Sequence, residues 1–167
     1  MVSEAGVQAQ DTLRLSPEQV RELLPQREPF LFVNGPAEVV PGVRVSAQAT
    51  YDQENSFYTG HFPGLPLTPG VIIIETMAQA ASLMMLTIPR CSGQIVYFVG
   101  IREARFFKAV LPGSVVELTG RVVSVRHGVV ENNVEAWTRG VRVASAVVTC
   151  TLRPRRSSPG LKERVGG

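Results

Sequence analysis

Two polar residues stand where polarity is costly. His61 lies in Gly60-His61-Phe62-Pro63-Gly64, and Glu75 lies inside Val71-Ile72-Ile73-Ile74-Glu75-Thr76-Met77. A carboxylate in a buried helix is expensive unless it is paired, hydrogen-bonded or protonated. Taken alone, Glu75 fits a satisfied core contact as well as a catalytic acid, and His61 alone fits a surface or packing residue. Their surroundings change that balance. The loop bearing His61 feeds directly into the helix bearing Glu75. Gly70 stands at the N-terminus of that helix, where free backbone N–H groups and the helix dipole favour negative charge. A glycine there lets a carbonyl approach the backbone closely. A base, an acid and an oxyanion-stabilising terminus are the parts needed for proton abstraction beside a thioester carbonyl. The other histidine, His127, sits in a hairpin turn and reads as surface.

The elements that must position these groups follow from pattern. Ser16-Pro17-Glu18-Gln19 reads as a capped helix start, with Gln19 completing a capping box. Val43 to Tyr51 alternates apolar and polar residues, a strand with one wet face. Residues 55–70 form a long loop dense in Gly and Pro, and long loops inside compact domains tend to be functional. Thr68 is the expected cap of the next helix, with Pro69 at its first position. That helix runs to about Leu86. It is apolar nearly all round and should be wrapped by other elements. The rest is strand-like: Gln94–Ile101, Ala104–Val110, Val115–Val125, Val129–Thr138 and Val141–Leu152. His127-Gly128 and Arg139-Gly140 are the natural hairpin turns. An α+β fold with an antiparallel sheet curling around one apolar helix satisfies both patterns. Residues 1–12 read as a loose arm, 13–152 as one domain, and 153–167 as a disordered basic tail.

Charge narrows the partners. The formal charge is +3, yet residues 153–167 hold five basic side chains against Glu163, so residues 1–152 sum to −1. A nucleic-acid face shows as Lys and Arg clustered within the folded domain, so no nucleic-acid partner is expected. Cys91 and Cys150 form neither a disulfide framework nor a CxxC metal pair, and no metal site is expected. Met1 to Asp11 lacks a signal-peptide pattern, so a cytoplasmic location is expected. Val71 to Ile88 is apolar enough to suggest a membrane span, but Glu75 and Gln79 lie in it on one face. A buried core helix is the better reading.

The residues resemble a known family. Leu24-Pro25-Gln26-Arg27-Glu28-Pro29-Phe30-Leu31, the Gly60–Gly64 segment, Pro66, Pro69-Gly70-Val71 and Glu75-Thr76-Met77-Ala78-Gln79 are similar to FabZ-type 3-hydroxyacyl-[acyl-carrier-protein] dehydratases. Phe98-Val99-Gly100-Ile101, Ala104-Arg105-Phe106 and Leu111-Pro112-Gly113 continue the match. The resemblance implies a hot-dog fold. It also implies a homodimer, often a trimer of dimers, with each site taking His61 from one chain and Glu75 from the other. His61 would take a proton from C2, Glu75 would protonate the departing 3-hydroxyl, and Gly70 with Val71 would hold the thioester oxygen. Phe62, Tyr97 and Phe98 would border the acyl chain, although Tyr97 and Phe98 fit plain strand core equally well. The chain would arrive on the phosphopantetheine of an acyl-carrier protein, with no metal or redox cofactor. Glu at position 75, where the FabA-like branch carries Asp, favours dehydration without isomerisation.

There are departures from the family pattern. Gln26 replaces the usual His, Asn34-Gly35 replaces an Asp-Arg pair, Arg102-Glu103 inverts an acidic-basic pair, Phe107 replaces a basic residue, and Thr68 stands where Met is common. Arg102, Arg105 and Lys108 remain to meet an acidic carrier, or they form a solvated strand face. Fatty-acid and polyketide-type synthesis are both compatible settings. Two rival readings stay open at this stage: an acyl-thioester hydrolase on the same fold, and a non-catalytic subunit that binds acyl-carrier protein.

Overall fold

The computed structural model describes residues 11–154. Strand β1 (Leu13–Leu15) is followed by helix α1 (Pro17–Leu23), strands β2 (Ala37–Val40) and β3 (Arg44–Thr50), and a short helix α2 (Phe57–Gly60). The long helix α3 (Gly70–Leu86) precedes β4 (Gln94–Phe106), β5 (Val115–Arg126), β6 (Val129–Thr138) and β7 (Val141–Pro154). All pairings are antiparallel, in the order β1-β2-β3-β5-β6-β7-β4. The sheet wraps α3, as a hot-dog fold requires.

Local chemistry explains the elements. Ser16 caps α1: its hydroxyl accepts from the Gln19 N–H, and the Ser16 N–H donates to Gln19 Oε1 at 2.9 Å. In β3 exposed and buried residues alternate, with Val45, Ala47 and Ala49 turned inward. Both hairpin turns hold two residues at positive φ, His127-Gly128 and Arg139-Gly140, the pairing that matches strand twist. From α3, Met77, Leu83 and Met84 are essentially inaccessible, and they join Val45, Ala47, Val116, Leu118, Val134, Ala136 and Val148 in one core. Each buried Val, Leu or Met among them contributes about 1.5–3 kcal/mol by leaving water.

Four expectations need correction. The two strands expected over 94–101 and 104–110 are one strand ending at Phe106; the register slips between Arg102 and Arg105, where Glu103 takes φ 54°. A charged residue at a bulge imitates a strand break. The loop over 55–70 contains α2, too short to show a helical period. Strands β1 and β2 were not anticipated, being three and four residues long. Arg153 and Pro154, expected in the tail, pair with Ile95 and Gln94. The remaining expectations for a loose arm and a disordered tail lie outside the described residues, apart from residues 11 and 12. Among the described residues no helix is long and apolar enough to cross a membrane.

Gly120 shows how closely α3 is held. A Cβ there would meet Val45 Cγ1 at 3.0 Å, with Met84 Cε and Val134 Cγ1 both at 3.6 Å. A Gly120→Val variant should lose about 1–3 kcal/mol of stability through overpacking, measured by urea unfolding. An unchanged midpoint would show that the sheet and helix have slack here.

Candidate active site

Helix α3 starts at Gly70, with Pro69 at the N-cap and no capping side chain. The expected cap, Thr68, is used elsewhere. Its buried Oγ1 lies 2.6 Å from the Tyr58 hydroxyl, and its N–H donates to Val110 O at 2.8 Å. The Ile72 and Ile73 N–H groups reach back to Pro69 O at 3.0 and 3.2 Å. Those of Gly70 and Val71 keep no acceptor among the described residues. An uncapped helix start with free N–H groups is suited to a partial negative charge. Gly70 lies under the Phe106 ring: a Cβ would sit 2.8 Å from Phe106 Cζ, so the ring would have to turn aside for any larger residue. Val71 is 71% exposed beside it.

His61 follows α2, and its backbone is held at both ends. Its N–H donates to Phe57 O and its carbonyl accepts from Leu67 N–H, each at 2.9 Å. The ring stacks on Phe62 with centroids 4.1 Å apart. Nδ1 lies 3.0 Å from Leu67 O. A carbonyl oxygen only accepts, so Nδ1–H is the donor and Nε2 carries the free lone pair. The imidazole is therefore set as a base through Nε2. Tyr58 and Thr68 tie the segments flanking this loop together.

Glu75 is half-buried on α3. Its Oε1 accepts from Gln79 Nε2 at 3.0 Å and from Gln26 Nε2 at 3.4 Å. Burial pushes the carboxyl up from its ordinary value, and the two amides pull the other way. Gln79 is fixed at both ends. Its Oε1 accepts from the Phe32 and Val33 N–H groups at 2.9 and 3.3 Å, and its Nε2 also donates to Phe30 O at 2.9 Å.

The other candidates are spread over the sheet edge. Strand β4 pairs only with β7, so its other edge is open. Phe98 pairs with buried Cys150 and shares its helix-side face; Tyr97 pairs with Thr151 on the opposite face. Arg102 is engaged by Glu131 at 2.5 Å and Glu103 at 3.8 Å, whereas Arg105 and Lys108 have no ion pair among the described residues. Within one chain no described hydrogen bond joins His61 to Glu75. Among the described residues no group of three or more His, Cys, Asp or Glu is placed to hold a metal ion. Sequence reasoning noted Gln26 only as a departure and missed Tyr58 and Phe106. Gln26 reaches Glu75 across 49 positions, and only the fold brings such a pair together.

A raised folded-state pKa means the folded protein binds more protons than the unfolded chain, so stability falls as pH rises through the folded value. The burial cost of Glu75 is absent below the ordinary carboxyl value and present at neutral pH. Glu75→Gln removes it. The variant should melt higher than the parent at pH 7–8, and the gap should close near pH 4. A gap that widened on acidification would show that Glu75 is held as a stabilised anion.

A FabA-like domain model matches residues 24–147. The 3-hydroxyacyl-[acyl-carrier-protein] dehydratase FabZ of Polynucleobacter necessarius is 39% identical over 137 residues, 82% of this chain and 92% of that protein. Among solved structures, the dehydratase heterocomplex ApeI:P from Xenorhabdus doucetiae has a TM-score of 0.67 at 18% identity, covering 81% of this chain and 91% of its own. A hot-dog-like protein from Thermanaerovibrio acidaminovorans gives 0.56 at 18% identity, over 81% and 87%. The two structures carry the fold, and the family follows from the sequence match: this chain belongs to the FabA-like family, among its FabZ-type 3-hydroxyacyl-[acyl-carrier-protein] dehydratases.

Proposed function

We propose that the chain converts (3R)-3-hydroxyacyl thioesters on acyl-carrier protein into trans-2-enoyl thioesters, with His61 as base and Glu75 as acid. The observation that carries this reading is Glu75 itself. It is a lone carboxyl on an apolar helix, oriented through one oxygen and held toward its protonated form by burial. His61 Nε2 takes the proton at C2. The C2–H electrons form the C2=C3 bond as the C3–O bond breaks, and the hydroxyl leaves as water with the Glu75 proton. The Gly70 and Val71 N–H groups hold the negative charge that develops on the thioester oxygen. Transfer of a proton from His61 back to Glu75, through solvent, resets the pair. Loss of water leaves the overall oxidation level unchanged and asks the protein only to move protons and hold charge, so the reading calls for no metal or redox cofactor; phosphopantetheine arrives with the carrier.

The site is assigned to a homodimer, with His61 and Glu75 from different chains. The open edge of β4 and its exposed Tyr97, Phe98, Val99, Ile101 and Phe106 support this, because a long apolar edge invites a second strand. Phe62 and Phe98 are placed along the acyl chain, with Tyr97 at the rim from the other face of β4. Arg105 and Lys108, which make no ion pair among the described residues, are the cations proposed to meet an acidic carrier; Arg102 serves only if it leaves Glu131. Free thiols at Cys91 and Cys150 fit a cytoplasmic setting.

Incubation with a 3-hydroxyacyl thioester should give enoyl absorbance without thiol release; thiol without enoyl product would make the chain a hydrolase. His61→Ala and Glu75→Gln should each lose about 10²–10⁴-fold in rate. Parent-like rates in both would leave a binding subunit instead. Mixing the two inactive proteins under exchange should restore about a quarter of parental activity, because half the dimers are mixed and one of their two sites is intact. No recovery despite verified exchange would place both residues in one chain.

A further inference from the structure

The two amides on Glu75 are not equivalent. Gln79 is locked, since its Oε1 accepts from Phe32 and Val33 and its Nε2 donates to Phe30 O. It can only donate to Glu75. Gln26 donates to the same oxygen at 3.4 Å, and its own Oε1 is buried without a partner among the described residues. A buried unpaired carbonyl oxygen is costly. Turning the amide over would bring that oxygen to Glu75, where it could accept a proton.

We propose that Gln26 is a positioning residue for Glu75 that serves both states of the acid, donating through Nε2 to the carboxylate and accepting through Oε1 from the carboxylic acid. This rests on Glu75 being the acid of the proposed dehydration. A catalytic acid changes from donor to acceptor when it delivers its proton. A donor fixed like Gln79 can serve a carboxylate or the carbonyl oxygen of the acid but can never accept the acid's proton, whereas an amide free to turn can do either. Charged neighbours do not compete for the role. Arg27 donates to the Leu24 and Gln26 carbonyls, and Glu28 pairs with Arg21. Among the described residues, burial and the two glutamines set the shift of the Glu75 carboxyl. From across the dimer, His61 is the group assigned to face it.

The test is the pH profile of kcat and KM on a short 3-hydroxyacyl thioester of N-acetylcysteamine, for the parent, Gln26→Leu, Gln26→Met, Gln26→His and Glu75→Gln. The rate falls on the alkaline side as Glu75 loses its proton. Losing a fixed donor would raise that pKa and move the limb to higher pH. Losing a partner of both states should leave the limb within about half a pH unit while kcat drops roughly tenfold. Gln26→Leu and Gln26→Met should show this second pattern with KM within about twofold, and melting close to the parent keeps a folding defect separate. Gln26→His should restore most of kcat, because a neutral imidazole both donates and accepts. A limb displaced upward at unchanged kcat, or kcat within twofold of the parent in both apolar variants, overturns the proposal. Failure of the underlying reading looks different: no enoyl product from the parent, or full activity in Glu75→Gln.

Discussion

A carboxyl group on an apolar helix must be neutral or be solvated by the protein itself. Much of this fold answers that constraint at Glu75. Gln79, one turn along α3, supplies the first donor and is itself anchored to the backbone of Phe30, Phe32 and Val33. The same amide therefore satisfies backbone groups in a segment that forms no strand. Without Gln79 that segment would press unpaired N–H groups against the helix, and Glu75 would lose its orientation. One polar pair spaced four residues apart on the helix thus links the core, the cover over it and the acid.

The helix start obeys the opposite logic. A hydroxyl at Thr68 would normally close it, yet that hydroxyl is taken by Tyr58, and the Phe106 ring lies directly over Gly70. The turn is left open to an outside acceptor. The His61 loop is tied to the same place through Leu67 and Thr68. Backbone hydrogen bonds therefore tie the loop to itself through Leu67 and to Val110, beyond β4, through Thr68. A base on a mobile loop would gain nothing from a rigid acid; the shared backbone bonds remove that mismatch.

Much of this was legible in the sequence, for identifiable reasons. The period of β3, the capping box at Ser16 and Gln19, the glycine turns of the last hairpins and the apolar run of α3 are local signals, and each predicts its element closely. His61, Glu75 and Gly70 stood out as candidates because polar or backbone-exposing residues lay in apolar or turn-rich surroundings. What escaped was non-local or short. Strands β1 and β2 exist only as partners of each other and of β3. Thr68 has the right chemistry for a cap, and only the position of Tyr58 decides otherwise. Gln26 looked like a mere departure from a family pattern until the fold brought it to Glu75.

The half-burial of Glu75 and the open edge of β4 share a physical root. Half-burial of Glu75 raises its pKa but leaves one oxygen, Oε2, without a described partner. The carboxyl is already costly to ionise and not yet enclosed. Deeper burial within one chain would need more sheet, and the described strands already wrap α3. On the proposed dimeric reading a second copy supplies the enclosure and the base together, and covers the apolar side chains of β4 at the same time. The acid's strength, the protection of the edge and the completeness of the site then become one requirement, and a change that weakens pairing at β4 acts on chemistry through the dielectric around Glu75.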